Sequence, residues 1–117
     1  MAEEFRIEKA AGSTGAVVLR LFGRLDAKAA QALVAQCTEL RQREIKVVVL
    51  NLAKISFVAS SGIGSLLALT EDFQEIGGSI RLAQISDSVR SVVDLLNLGD
   101  YLRIDATEEA GLAAARS

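Results

Sequence analysis

Residues 46–64 read Lys46-Val47-Val48-Val49-Leu50-Asn51-Leu52-Ala53-Lys54-Ile55-Ser56-Phe57-Val58-Ala59-Ser60-Ser61-Gly62-Ile63-Gly64, and the fold turns on how this stretch divides. Lys46 to Leu52 carries Val47, Val48, Val49 and Leu50 in succession, a β-branched run that suits a strand covered on both faces in the middle of a parallel sheet. From Phe57 to Gly64 the apolar run breaks into two hydroxyls and two glycines, then resumes at helical spacing through Ile63, Leu66, Leu67, Thr70, Phe73 and Ile76. Gly77-Gly78 supplies a left-handed stop. At such a strand-to-helix turn, small side chains leave backbone N–H groups open and the helix dipole favours negative charge. A serine there can carry a phosphate without breaking the fold.

On the amino-terminal side, Phe5 to Lys9 alternates apolar and polar, and Gly12-Ser13-Thr14-Gly15 is turn chemistry, so a hairpin is expected. Ala16 to Phe22 is nearly all apolar and closes at Gly23, after which Asp26 caps a helix over about Ala27 to Arg41. Its Ala30, Leu33, Val34, Cys37 and Leu40 form one apolar stripe. On the carboxyl side, Ser79 to Ala83 reads as a short strand. Ser86 caps a third helix, with Val89, Val92, Val93 and Leu96 on its inner face. Gly99 ends that region, and Tyr101 to Ile104 makes a last strand. Thr107, Glu108 and Glu109 open a terminal helix with acids where the dipole favours them. The order β, β, α, β, α, β, α, β, α predicts an α/β fold. Its sheet is mixed and mostly parallel, of about five strands with about four helices, the first strand joining antiparallel through its hairpin.

Residues 1–117 are expected to form a single domain able to bury a core without disulfides or metal. Asn51, Lys54 and the serines interrupt the longest apolar segment before it reaches the roughly 18 residues of a spanning helix, so no direct membrane insertion is expected. Met1-Ala2-Glu3-Glu4 leads straight into a strand pattern with neither a secretory nor a transit signal, which points to a cytoplasmic address. The lone Cys37 sits between Val34 and Leu40 and reads as a buried apolar group. A net charge of −2 with interspersed signs gives no footprint for nucleic acid or anionic membrane.

Enzyme chemistry at the serine pair fails on the residues available. The chain has no histidine to act as general base, Lys54 is a remote substitute, and the flanks are not Gly-x-Ser-x-Gly. No Gly-Lys-Ser/Thr ending follows the glycines, so a nucleotide phosphate loop is not indicated, although a weak nucleotide contact at the helix start stays open. No cofactor and no metal site is expected. Loops that follow parallel strands emerge on one edge of a sheet, which places Gly23-Arg24-Leu25-Asp26 and Ala59-Ser60-Ser61-Gly62 together. If their strands are neighbours, Asp26 and Ser60 approach each other. The plain alternative is that Asp26 only caps the first helix and Ser60 or Ser61 only caps the second.

Taken together, three stretches resemble the STAS domain, the module of bacterial anti-sigma-factor antagonists and of sulphate-transporter tails, and the likeness covers essentially the whole chain. They are Gly23 to Asp26, the loop Ala59-Ser60-Ser61-Gly62-Ile63-Gly64, and Leu95-Leu96-Asn97-Leu98-Gly99-Asp100-Tyr101-Leu102. The resemblance implies that Ser60 is a phosphoacceptor, with Asp26, Ala59, Ser61, Gly62, Ile63 and Gly64 as its partner-binding surroundings. It implies an anti-sigma factor with serine-kinase activity, carrying ATP and magnesium, as partner, and a PP2C-type phosphatase to reverse the modification. The chain itself is then a substrate and binding protein: unmodified, it sequesters the anti-sigma factor and frees a sigma factor. The family's acid before the phosphoacceptor is Ala59 here, and an acid common at the end of the preceding strand stands as Asn51. Two carboxylates are therefore expected to be missing near the site. That departure gives weight to an alternative, a STAS accessory subunit of a lipid-transport ABC system that is never phosphorylated.

Overall fold

The computed structural model describes residues 4–11 and 15–116, so the hairpin turn expected at Gly12, Ser13 and Thr14 lies outside the described residues. In chain order the elements are β1 (Arg6–Ala11), β2 (Ala16–Leu25), α1 (Ala27–Gln42), β3 (Val47–Val58), α2 (Ser60–Glu75), β4 (Ser79–Ala83), α3 (Asp87–Leu95), β5 (Arg103–Asp105) and α4 (Glu108–Arg116). They build a five-stranded sheet in the order β1-β2-β3-β4-β5. β1 pairs antiparallel with β2 and every later pair is parallel, as the element order requires.

Each new parallel strand adds on the same side of the last, so right-handed crossovers put α1, α2 and α3 on one face. The core lies beneath them. Alternate residues of β2 and β3, such as Leu19, Leu21, Val48, Leu50 and Leu52, meet Leu33 and Cys37 of α1, Leu66 and Phe73 of α2, and Val89 and Val93 of α3. The intervening residues Val18, Val49 and Ala83 face the other way, where Leu112 of α4 packs on them. Burial of each fully enclosed Leu or Phe contributes roughly 1.5–3 kcal/mol, which is why the helices stay docked.

Two strands run further than their composition predicts. β2 continues through Gly23 to Leu25 and β3 continues past Leu52 to Val58, with register shifts between Arg20 and Phe22 and between Gly23 and Arg24. α2 ends as expected: Gly77 takes φ 76°, a left-handed conformation that glycine adopts without strain, and the Gly78 amide donates to the Phe73 carbonyl at 2.8 Å. The inner helix faces differ from the spacing at two positions. Leu69, outside the stripe the spacing picks in α2, is buried, while Leu67 packs half-buried against the core, and Leu96, which the spacing puts on the inner face of α3, is 50% exposed beyond the helix end.

Candidate functional site: the start of α2

Leu25 and Val58 are paired partners at the ends of β2 and β3, so the loops that follow them leave the sheet side by side. The Ala59 amide donates to the Leu25 carbonyl at 3.0 Å and ties the two loops together. Gly62 then rests directly on β2: a Cβ there would lie 2.5 Å from the Leu25 carbonyl oxygen and 2.9 Å from Leu25 Cγ. Only a residue without a side chain lets α2 start this low against the sheet. Ile63, 4% exposed, anchors the first turn in the core, and Ser65 Oγ donates to the Gly62 carbonyl at 2.7 Å.

The helix begins without a side-chain cap. Its N-cap is Ala59, whose side chain has no oxygen to offer, and the first intrahelical bond is Ile63 N–H to the Ala59 carbonyl at 3.0 Å. The capping role considered for Ser60 and Ser61 is therefore not observed. Both are the opening residues of the helix, both are exposed, and their amides and that of Gly62 precede the hydrogen-bonded ladder. Gly64 is exposed, with nothing within 4 Å of the position a Cβ would take. The chemistry such a start offers is acceptance of negative charge at an accessible hydroxyl, from unpaired amides and the positive end of a sixteen-residue helix.

Asp26 is the N-cap of α1, and its Oδ1 accepts from the Ala29 amide at 3.0 Å. Capping and membership of the site are not exclusive, because Asp26 is exposed on the same sheet edge as Ser60. Two hollows flank this edge. One, of about 430 Å3, is lined by Glu4, Phe5, Arg24, Asp26, Lys28 and Ala29. The other, of about 480 Å3, lies between α1 and α2 and is lined mainly by Ala27, Ala30, Val34, Ser61 and Ser65. Arg24 stacks its guanidinium 4.1 Å from the ring centre of Phe57, a cation–π contact at the strand ends.

Asn51 is not part of this site, which corrects the expectation that its lost acid belongs to the serine's surroundings. It sits in mid-strand opposite Arg20 and Ala83, well before Val58, on the face covered by α4. Its Nδ2 donates to Glu108 Oε2 at 2.7 Å and to Gln84 Oε1 at 3.2 Å, and its Oδ1 accepts from the Ala53 amide at 3.0 Å. Glu108 also takes a bidentate contact from Arg20, with Nε at 2.8 Å and Nη2 at 2.9 Å. The Arg20 hydrogen bonds hold the Glu108 carboxyl below its ordinary range. Burial opposes that shift and the Asn51 donor assists it. This cluster fastens α4 to the sheet. The sequence offers only one sign of it, the acid at position 108, which local pattern explains by the helix dipole alone. A parallel pair, Arg81 Nε to Asp105 Oδ2 at 2.7 Å, links β4 to β5.

Among the described residues, no group of three or more His, Cys, Asp or Glu side chains is placed to hold a metal ion, and no helix is long and apolar enough to cross a membrane. The model of the STAS domain family matches residues 9–111. An anti-sigma F factor antagonist of Lysinibacillus sphaericus is 32% identical over 113 residues, covering 96% of this chain and 94% of the relative. Among solved structures, the anti-sigma factor antagonist SpoIIAA in its unphosphorylated form is 28% identical with a TM-score of 0.80, over 95% of this chain and 96% of that one. The Bacillus cell fate determinant SpoIIAA in its phosphorylated form is 29% identical with a TM-score of 0.69, over 92% of this chain and 96% of that one.

Proposed function

This chain belongs to the STAS domain family, and on that premise we propose that it acts as an anti-sigma-factor antagonist switched by phosphate on Ser60. In this reading the unmodified protein binds an anti-sigma factor that is also a serine kinase, so that a sigma factor is freed. The kinase transfers a phosphoryl group to Ser60 Oγ, the complex separates, and a PP2C-type phosphatase restores the hydroxyl. The chain is the regulated substrate and supplies no catalytic group of its own. It contains no histidine to serve a serine as general base.

The observation that carries this reading is the exposed Ser60 at an uncapped helix start, held against the Asp26 loop by the Ala59–Leu25 hydrogen bond. A phosphoserine brings about two negative charges and three acceptor oxygens. The open amides of α2 accommodate them in the free protein, so modification leaves the fold intact. In a desolvated interface the same charge is opposed by several kcal/mol. Since about 1.4 kcal/mol is a factor of ten in affinity, a shift of roughly two orders of magnitude follows, enough for a switch.

The test is incubation with candidate anti-sigma kinases and magnesium-ATP, followed by mass spectrometry. One phosphate on Ser60, absent from Ser60→Ala, is the expected result. Phosphate on Ser61 alone, or none with any kinase that binds the chain, removes the proposal. A second reading draws on Ala59, which leaves the loop without the family's neighbouring acid: a STAS accessory subunit of a lipid-transport ABC system. It predicts stable co-purification with an ATPase subunit and an unmodified Ser60.

A further inference from the structure

A phosphate on Ser60 enters a stretch of chain that holds no acid: from Lys46 to Thr70 there is neither Asp nor Glu. The carboxylates brought to this edge by other elements are Asp26, whose Oδ1 is engaged by the Ala29 amide, and Glu4, which lines the hollow beside it. The cations around the edge are Arg24, Lys28 and Lys54, all exposed and in no ion pair of the described residues.

One of these cations is already aimed. Arg24 stands one residue before the end of β2, paired with Phe57, and its guanidinium reaches across to β3 to lie 4.1 Å from the centre of that exposed ring. The strand ends beneath it are held in step. Ser56 Oγ donates to the Gly23 carbonyl at 3.3 Å, and the Ala59 amide donates to the Leu25 carbonyl at 3.0 Å. The residue that follows Arg24 is therefore bonded directly to the residue that precedes Ser60. Lys54 sits further back on β3, opposite Phe22, and Lys28 lies beyond the Asp26 cap in the first turn of α1.

An exposed cation–π contact is weak, whereas a guanidinium fork meets a phosphate with two parallel charge-assisted hydrogen bonds. A lysine has no such fork. We infer that Arg24 is the internal receptor for phosphate on Ser60: on modification its guanidinium leaves the Phe57 ring and pairs with the phosphoryl oxygens. This inference rests on the phosphoserine reading above and adds to it. The unmodified edge presents a ring covered by a cation, and the modified edge presents a phosphate–guanidinium pair beside a bared Phe57. A partner docked at the serine loop then meets a changed shape as well as a changed charge.

The experiment places phosphoserine at position 60 by genetic encoding, so that no kinase is needed, and follows the phosphorus NMR signal and the Arg24 Nε–H signal through a pH titration. The second ionisation of phosphoserine ordinarily falls at about pH 6. It is expected below that value in the parent. Arg24→Gln should raise it by about half a pH unit or more, and Lys28→Gln and Lys54→Gln each by less than half as much. The amides of the helix start act alike in every variant, so the difference isolates Arg24. The Arg24 Nε–H signal should move with the ionisation of the phosphate. Arg24 is exposed, and an unchanged melting temperature checks that Arg24→Gln is folded. Equal titrations in the parent and Arg24→Gln, a larger shift in either lysine variant, or an Arg24 signal indifferent to the phosphate overturns the inference and leaves the kinase reading standing. A chain that no kinase modifies removes that reading without altering this titration.

Discussion

The α-carbon of Gly62 is seated against Leu25 so closely that a methyl group added at position 62 would stand 2.5 Å from the Leu25 carbonyl oxygen. That oxygen cannot easily move, because it already accepts the Ala59 amide at 3.0 Å. Gly62→Ala is therefore expected to lower stability by about 1–3 kcal/mol, the usual range for forced overpacking. Gly64, two residues on, has open space around it, and Gly64→Ala should raise stability by about 0.5–1 kcal/mol through helix propensity alone. Urea unfolding of the two variants separates steric from conformational effects. A Gly62→Ala protein as stable as the parent would falsify the close approach.

Ser60 lies beside that contact yet takes no part in packing, which allows charge at position 60 without structural loss. Ser60→Asp is expected to weaken binding to the anti-sigma partner by roughly two orders of magnitude. Its unfolding free energy should stay within about 0.5 kcal/mol of the parent, as for most surface changes. Ser60→Ala should keep parental affinity and accept no phosphate. Titration calorimetry with the partner, alongside unfolding curves, reads both quantities, and equal affinities for the two variants would remove the switch.

Much of this arrangement was legible in the sequence, because the valine run, the serine–glycine loop and the cap residues each encode local geometry. Asp26 and Ser86 cap α1 and α3 as expected, through the Ala29 and Val89 amides at 3.0 and 3.3 Å. The extension of β3 to Val58 was not legible. Ala53 to Ser56 has neither a continuous apolar run nor clean alternation, and its extended form is imposed by continued pairing with β2 as far as Leu25 and by Ser86 reaching Ile55. That added length moved Asn51 away from the serine loop. The partner that explains Asn51, Glu108, is remote in sequence, and no local pattern announces such a pair. Ala59 as an N-cap runs against cap preference, and a residue that breaks a local rule at a candidate site is where function competes with stability.

Cys37 offers a probe of global opening. It is fully enclosed in α1 against the sheet, and burial pushes its thiol up to about 12. The nucleophilic thiolate is then scarce at neutral pH and shielded when present. Reaction with a disulfide reagent at pH 8 is expected to be slower than for a free cysteine by a factor of at least about 1,000, the order of the folding equilibrium constant. It should accelerate with urea in step with unfolding. Rapid labelling of the native protein would show that α1 opens locally, independently of the core.

Glu108 gives the fold a pH dependence whose sign is fixed by its partners. Its carboxyl is held below the ordinary range first by the Arg20 hydrogen bonds and also by the Asn51 donor. A depressed native value contributes stability that is complete above the unfolded-state value of about 4.3 and is lost as pH falls through the lower native value. The stability gap between the parent and Glu108→Gln should therefore be full at neutral pH and close progressively below about pH 4.3. Carboxylates common to both proteins cancel in that difference. Asn51→Asp replaces the donor 2.7 Å from Glu108 Oε2 with a second carboxylate, so that variant should be less stable than the parent at neutral pH and regain ground on acidification, as one of the facing acids takes a proton. Urea unfolding between pH 3 and pH 8 measures both trends. A gap for Glu108→Gln that widens toward low pH would mean that the carboxyl is stabilised in its protonated form, and that Arg20 does not hold α4 through its charge.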